Sequence, residues 1–311
     1  MGNGNNKTTV LALSGGGAKG AFQAGALEVL RDEGYSFDAI SGVSVGALNG
    51  AMLATGQFEK LLEIWSNITP DRVLKKNSLL KLARKYLTFT LGFSSPPVSR
   101  YNNAPLRRLM EEVLLGKSVN LPFRFGYVKL ESGEYVNATI RRQEGHKINQ
   151  ADIKRVLAST AIPVFFNPVR FGDSTAVDGG LRNISPISAV LPFNPDQIVI
   201  IPTEPVGEDP GTKNVRDILQ IAFRAINIML DEIFNEDIDR FFSINRLVKQ
   251  AEQEGVTLEK SDGTPYSYVK PILIDPKESL GDGLDFANDR ARELIETGRN
   301  RAREVLENLD S

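Results

Sequence analysis

The sequence predicts an α/β protein on a mainly parallel sheet, from three observations. A short apolar strand pattern runs into a glycine cluster and then a helical pattern at Thr8–Asp32. The same succession recurs at Phe37–Thr55, and further buried-strand patterns stand far along the chain, near Ile198 and Tyr268. Strands that alternate with helices belong to parallel sheets, because each crossover needs an element to carry the chain back.

The elements follow in order. Thr8 to Leu13 is a β-branched, apolar run too short for a helix and reads as a buried strand. Ala21 to Asp32 places Phe22, Ala26, Val29 and Leu30 at helical spacing. Phe37 to Ser41 is a second strand, and Ala47 to Thr55, small and apolar, is a buried helix. Phe123 to Arg142 alternates about Glu131-Ser-Gly-Glu134 as a β-hairpin does. Ile198 to Ile201 is another strand, and Pro205 to Asn214, rich in Pro, Gly and Asp, is a loop. Val215 to Gln250 carries Ile218, Ala222, Ile226, Met229 and Ile233 at helical spacing, which predicts long helices. Tyr268 to Ile274 reads as a late strand. Ala291 to Leu309 is a closing amphipathic helix with Leu294, Ile295, Ala302, Val305 and Leu306 on one face. No internal repeat is visible. The expected organisation is a polar leader over 1–7 and one domain over 8–311, with a motif-bearing core at about 8–205 and a C-terminal helical completion at about 213–311.

Composition removes several classes. With 41% hydrophobic and 24% charged residues the chain is an ordinary globular protein, and 311 residues suffice for a large core. A net charge of −2 argues against bulk binding of nucleic acid. There is no cysteine, which excludes disulfides, thiolate catalysis and cysteine-based metal sites. Neither a secretory signal nor a run of membrane-spanning length is visible, so the expectation is a cytoplasmic protein, peripheral at membranes if it meets them. One stretch is uneven: from Arg72 to Met110 there is no Asp or Glu, and Lys75, Lys76, Lys81, Arg84, Lys85, Arg100, Arg107 and Arg108 interleave with leucines and aromatics. That pattern fits a helix lying on an anionic lipid surface. It fits equally a solvated helix packing its leucines on the core.

The chemistry centres on Gly42-Val-Ser-Val-Gly46, a G-x-S-x-G placed between a strand and a helix. Such a turn exposes the Ser44 hydroxyl, and its glycines let strand and helix approach closely. Serine needs a positioned base to act as a nucleophile. The one histidine, His146, lies in the polar run Arg-Arg-Gln-Glu-Gly-His and reads as a surface-loop residue. No histidine follows Asp178, so the chain order of an α/β-hydrolase triad cannot be met. Asp178, in Val177-Asp-Gly179-Gly180, is the best remaining base, since its glycines leave a carboxylate room to face a neighbour. Asp-Gly is also the commonest hairpin-turn signal, so a turn at this place fits as well.

The run Gly15-Gly16-Gly17-Ala18-Lys19-Gly20 fits three roles. It matches the dinucleotide-binding fingerprint, although Asp38 stands at the start of its strand and not at the end. It can be a purely structural turn. It can also be an oxyanion hole of successive N–H groups at a helix N-terminus, joined by the N–H of Val45.

Taken together, Leu11-Ala-Leu-Ser-Gly-Gly-Gly-Ala-Lys-Gly-Ala21, Gly42-Val-Ser-Val-Gly-Ala-Leu-Asn49, Ala158-Ser-Thr-Ala-Ile-Pro163 and Asp178-Gly-Gly180 resemble the patatin-like phospholipase family. The resemblance implies a three-layer α/β/α domain that hydrolyses acyl esters of glycerolipids without metal or organic cofactor. Ser44 would be the nucleophile, Asp178 the base and the Gly15–Gly20 loop the oxyanion hole. Lys19 stands where the family often has Arg, so a bidentate side-chain contact would be lost there. An acyltransferase on the same dyad, a non-catalytic membrane-binding protein and a dinucleotide-dependent oxidoreductase are the rival readings.

Overall fold

The computed structural model describes residues 7–76, 87–88, 90, 99–207 and 218–310. Its centre is strand β1 (Thr9–Leu13), every residue of which is buried. A strand covered on both faces must be apolar throughout, and here alternate residues serve opposite layers. Leu11 and Leu13 join the larger core, while Val10 and Ala12 join a second one.

Strand β2 (Ala39–Gly42) and strand β9 (Gln197–Ile201) flank β1 in parallel. β10 (Lys270–Leu273) extends the sheet beyond β9, and β5 (Phe123–Lys129) extends it beyond β2, both also in parallel. The rest is antiparallel. β6 (Tyr135–Ile140) closes the expected hairpin with β5, while β7 (Val169–Phe171) and β8 (Ser174–Asp178) form a second hairpin. A small separate ribbon pairs β3 (Lys75–Lys76) with β4 (Tyr101–Asn102).

The register of β5 has a direct consequence. β6 occupies one edge of β5 from Phe123 to Val128, so β2 and β8 share the other edge. β2 runs parallel to β5 and ends with Gly42 opposite Phe125; β8 runs antiparallel and ends with Asp178 opposite Tyr127. The two strands therefore point at each other across Gly126. Whatever follows Gly42 meets whatever ends at Asp178.

Helices cover both faces. On one side pack α1 (Gly20–Asp32), α2 (Val45–Ala54), α3 (Phe58–Ser66), the short α4 (Pro70–Val73), α5 (Ala104–Leu114), α6 (Gln150–Ser159) and α8 (Asn288–Asp310). The fully buried Phe22, Leu30, Met52, Leu61 and Met110 belong to this layer, and burial of each such side chain stabilises by roughly 1.5–3 kcal/mol. On the other side an irregular stretch holding Ile184, Ile187 and Val190 packs beneath α7 (Ile218–Gln253), which adds Phe234 and Ile238. The architecture is α/β with three layers and a helical C-terminal part. Leu294, Ile295, Ala302 and Leu306 of α8 are buried as its periodicity predicts.

Three expectations are refined. The region after Val215 is one continuous helix among the described residues and not several. The Asp-Gly turn reading at residue 178 is not met: Asp178 ends β8, and the turn of that hairpin is Gly172-Asp173, with Gly172 at φ 59°. The middle of the basic run, 77–86, 89 and 91–98, lies outside the described residues, as does most of the loop expected at Pro205–Asn214. At the described ends of the basic run, Arg107 pairs with Glu111 at 3.0 Å and Arg72 approaches Glu112 at 3.8 Å. Among the described residues no helix is long and apolar enough to cross a membrane.

Candidate active site

Ser44 sits between β2 and α2 at φ 55°, ψ −125°, a conformation that costs a non-glycine residue about 1–3 kcal/mol. The surroundings hold it there. Its N–H donates to Ser159 Oγ at 3.2 Å, and its carbonyl accepts from Ala47 and Leu48 in the first turn of α2. Both motif glycines are required by close approach: a Cβ on Gly46 would lie 2.3 Å from the Leu13 carbonyl oxygen, and one on Gly42 would lie 2.2 Å from that of Gly46. This is the sharp strand-to-helix elbow that the sequence predicts, with the hydroxyl at the N-terminus of a helix.

Asp178 is buried opposite. Its Oδ1 accepts the Gly180 N–H at 2.8 Å, and its Oδ2 has no hydrogen bond of normal geometry. Burial pushes its pKa up from 3.8 to about 7; the Gly180 N–H and the nearby Ser44 hydroxyl pull it partly back. A carboxylate tuned close to neutrality is a far better proton acceptor than a free one. Gly179 lies so near the carbonyl oxygen of Gly126 that an added Cβ would stand 2.2 Å from it, which keeps the end of β8 tight against β5. His146 lines neither of the cavities at Ser44; it stands 3.8 Å from Asp152 near the start of α6.

The glycine loop is narrower in function than its length suggests. The Gly15 N–H donates to Ile184 O at 3.2 Å, the Ala18 N–H to Gly283 O at 2.7 Å, and the Lys19 N–H to Gly16 O at 3.3 Å. The Gly20 N–H turns back to the carbonyls of Gly17 and Ala18. Among the described residues the N–H groups of Gly16, Gly17 and Val45 have no acceptor. Of the seven residues expected to form an anion cradle, these three keep a donor free for it. Lys19 is nearly buried and forms an ion pair with Glu204.

Ser44 lines two cavities. One, of about 500 Å³, is bordered by Gly16, Gly17, Asp178, Leu181, Thr203 and the α7 residues Asn227 and Leu230. The other is small, about 50 Å³, and almost wholly apolar, with Val45, Leu48, Met52, Trp65, Leu109 and Phe166 in its wall.

A model of the patatin-like phospholipase family matches residues 11–191, more than half of the chain. The chain belongs to the patatin-like phospholipase family. Among its relatives, YqhO of Bacillus subtilis is 25% identical over 234 residues, 70% of this chain and 79% of its own. An NTE family protein of Mycobacterium bovis is 25% identical over 197 residues, of which this chain spans 48% of the relative's length. Among solved structures, VipD from Legionella pneumophila aligns with a TM-score of 0.48 at 15% identity, over 97% of this chain and 67% of VipD.

Several residues that support this patatin-like site escape a reading of the sequence. Gln23 donates to the carbonyls of Ser14 and Ile201, both at 3.0 Å; Asn49 donates to Gln23 at 2.9 Å, and Trp65 donates to Asn49 at 3.0 Å. This buried chain ties α1, α2 and α3 to the strand ends beneath the glycine loop. Thr203 donates through its hydroxyl to the Gly15 carbonyl and through its N–H to Ser14 Oγ at 3.0 Å. The one available signal was a polar residue on an otherwise apolar helix face, and Gln23 and Asn49 both carry it.

Proposed function

We propose that this protein is a lipid acyl hydrolase of phospholipase A or lysophospholipase type, with Ser44 as nucleophile and Asp178 as general base. The observation that carries this reading is the meeting of a strained, helix-capping serine with a buried carboxylate poised near neutrality. Ser44 Oγ attacks the ester carbonyl carbon while its proton passes to Asp178. The carbonyl oxygen becomes an oxyanion beside the unengaged N–H groups of Gly16, Gly17 and Val45. Collapse breaks the ester C–O bond, and the departing alcohol takes the proton from Asp178. Water, deprotonated by the same carboxylate, then attacks the acyl-enzyme; the fatty acid leaves and Ser44 regains its proton.

The cavities support an ester with one apolar and one polar arm. The apolar pocket suits the start of an acyl chain, and the larger cavity suits the glycerol and head-group side. That larger space could also seat an alcohol in place of water, which would make the enzyme a transacylase; acyl transfer to added glycerol would reveal it. The test of the main reading is fatty-acid release from a fluorogenic phospholipid by wild type, Ser44→Ala and Asp178→Asn. Both variants should lose at least 100-fold, and retained activity in Ser44→Ala would end the proposal.

A further inference from the structure

Among the described residues the glycine loop keeps two N–H groups without an acceptor, those of Gly16 and Gly17. Each belongs to a peptide unit that is held by its carbonyl side. A peptide is planar and trans, so its C=O and N–H point in opposite directions, and whatever grips the carbonyl aims the N–H. In the Gly16–Gly17 unit the carbonyl accepts the Lys19 N–H at 3.3 Å, a bond internal to the turn. The Gly15–Gly16 unit is different. Its carbonyl accepts the hydroxyl of Thr203, 188 residues away in sequence, and that of the adjacent Ser14 at 3.2 Å. Ser14 turns with the loop, whereas Thr203 belongs to the segment that follows β9.

Thr203 is placed to hold this peptide firmly. It is only 1% exposed, so water does not compete for its hydroxyl. Its own N–H donates to Ser14 Oγ at 3.0 Å, which closes a ring of bonds through the Gly15 carbonyl. A Cβ on Gly16 would lie 2.0 Å from Thr203 Oγ and 2.7 Å from its Cβ, so the side chain lies directly against the backbone it holds. The next residue, Glu204, pairs with Lys19 near the other end of the loop. Gly16 stands at φ 149°, a region that glycine enters without steric cost. With glycine on both sides of the peptide, no side chain of the loop itself resists rotation there. The Thr203 hydroxyl supplies that restraint from outside.

We propose that Thr203 is a positioning residue: by holding the Gly15 carbonyl, its hydroxyl aims the Gly16 N–H at the oxyanion that forms when Ser44 attacks an ester. The inference deepens the acyl-hydrolase reading and rests on it for its kinetic arm only. Without the hydroxyl the Gly15–Gly16 peptide rotates. One donor then leaves the cradle, and the carbonyl oxygen turns its negative end toward the developing charge. Among the described residues no hydrogen bond joins Thr203 to Asp178, so the base titrates as before.

The experiment compares wild type, Thr203→Val, Thr203→Ser and Thr55→Val, each folded and well below its own Tm. Valine keeps the shape of threonine without the hydroxyl, and serine keeps the hydroxyl. Thr55 is the control, a buried threonine whose hydroxyl bonds the carbonyls of Ala51 and Met52 at 2.9 and 3.1 Å. On a soluble ester, Thr203→Val should lower kcat by at least about 30-fold with KM within about twofold, a large part of the roughly 100-fold that one oxyanion donor is worth. The pH midpoint of kcat/KM should stay where it is in wild type. Thr203→Ser should recover to within about threefold and Thr55→Val should stay within about twofold of wild type. A second readout needs no catalysis. In protein labelled only in glycine, on the carbonyl carbon and the nitrogen, a spectrum that correlates each amide nitrogen with the preceding carbonyl carbon shows signals only for Gly15–Gly16, Gly16–Gly17 and Gly179–Gly180. The Gly15 carbonyl signal should move upfield in Thr203→Val as it loses its donor, and return in Thr203→Ser, while the Gly179 signal holds still.

A Gly15 signal that stays put in Thr203→Val, a kcat within about threefold of wild type in that variant, or an equal loss in Thr203→Ser or Thr55→Val would overturn the inference. If folded wild type neither hydrolyses an ester nor labels with a fluorophosphonate while the Gly15 signal still moves, the hold on the peptide stands and the hydrolase reading falls.

Discussion

Gly42 and Asp178 end two different strands on the same edge of β5, opposite Phe125 and Tyr127. The elbow begins just beyond Gly42. Ser44 and Asp178, distant in sequence, are thus placed by the register of a single strand, and their separation is set by the pleat of β5 and not by loop length.

Activity should follow the ionisation of Asp178. With the carboxyl pushed up to about 7, the base is protonated and idle below that value, so hydrolysis should rise through pH 6–8 and level off above. A pH–rate profile of kcat/KM with a monomeric ester checks this. A rate already flat at pH 5 would contradict it.

Stability should carry the opposite sign. Between 3.8 and about 7 the folded protein keeps a proton on Asp178 that the unfolded chain has released, so the native state loses stability as pH rises through that window. Asp178→Asn removes the burial of a charge and should be more stable than wild type at pH 8, by on the order of 1–4 kcal/mol, while nearly inactive. Below pH 3.8 this contribution should vanish. Thermal melts of both proteins across the range make the comparison.

Gly46→Ala should damage the fold as well as the activity. Its methyl would meet the carbonyls of Leu13 and Ser14 at 2.3 and 2.6 Å, backbone that cannot step aside. A loss of about 1–3 kcal/mol or more is expected. Urea unfolding with an unchanged midpoint would show that the elbow has more room than its geometry implies.

Gln23→Leu should leave the carbonyls of Ser14 and Ile201 without this donor, and Asn49 without its acceptor. Each buried group left unpaired costs about 1–3 kcal/mol. The midpoint of chemical denaturation should therefore fall clearly, and fluorophosphonate labelling should slow because the loop above has lost its floor.

Leu109→Trp should narrow the apolar pocket beside Ser44. Turnover of long-chain acyl esters should fall tenfold or more, whereas acetyl and butyryl esters should be processed within about threefold of wild type. A uniform loss over all chain lengths would place the acyl chain elsewhere.

What could be read beforehand was what the backbone demands. The strand at Thr8–Leu13, the elbow about Ser44 and the exclusion of His146 follow from β-branching, glycine spacing and residue order. The hairpin ending at Asp178 was hidden because Ser174-Thr-Ala-Val is short and half polar, and its Asp-Gly imitates a turn. The division of labour in the glycine loop was out of reach for another reason. Which N–H groups stay free depends on where Ile184 and Gly283 fall in space, and both lie far away in sequence.

The bond from the Ala18 N–H to Gly283 O, and the seat of Gly17 directly under that carbonyl, reach beyond the family-matched segment. A chain cut after Ile201 would retain Ser44, Asp178 and every motif glycine, and a motif search would still score it as intact. It would nonetheless lack the residue that clamps the glycine loop from outside. Truncated or rearranged relatives that keep all the signature residues should therefore be sorted by whether they supply a substitute for that distant carbonyl, since only those hold the loop in working shape.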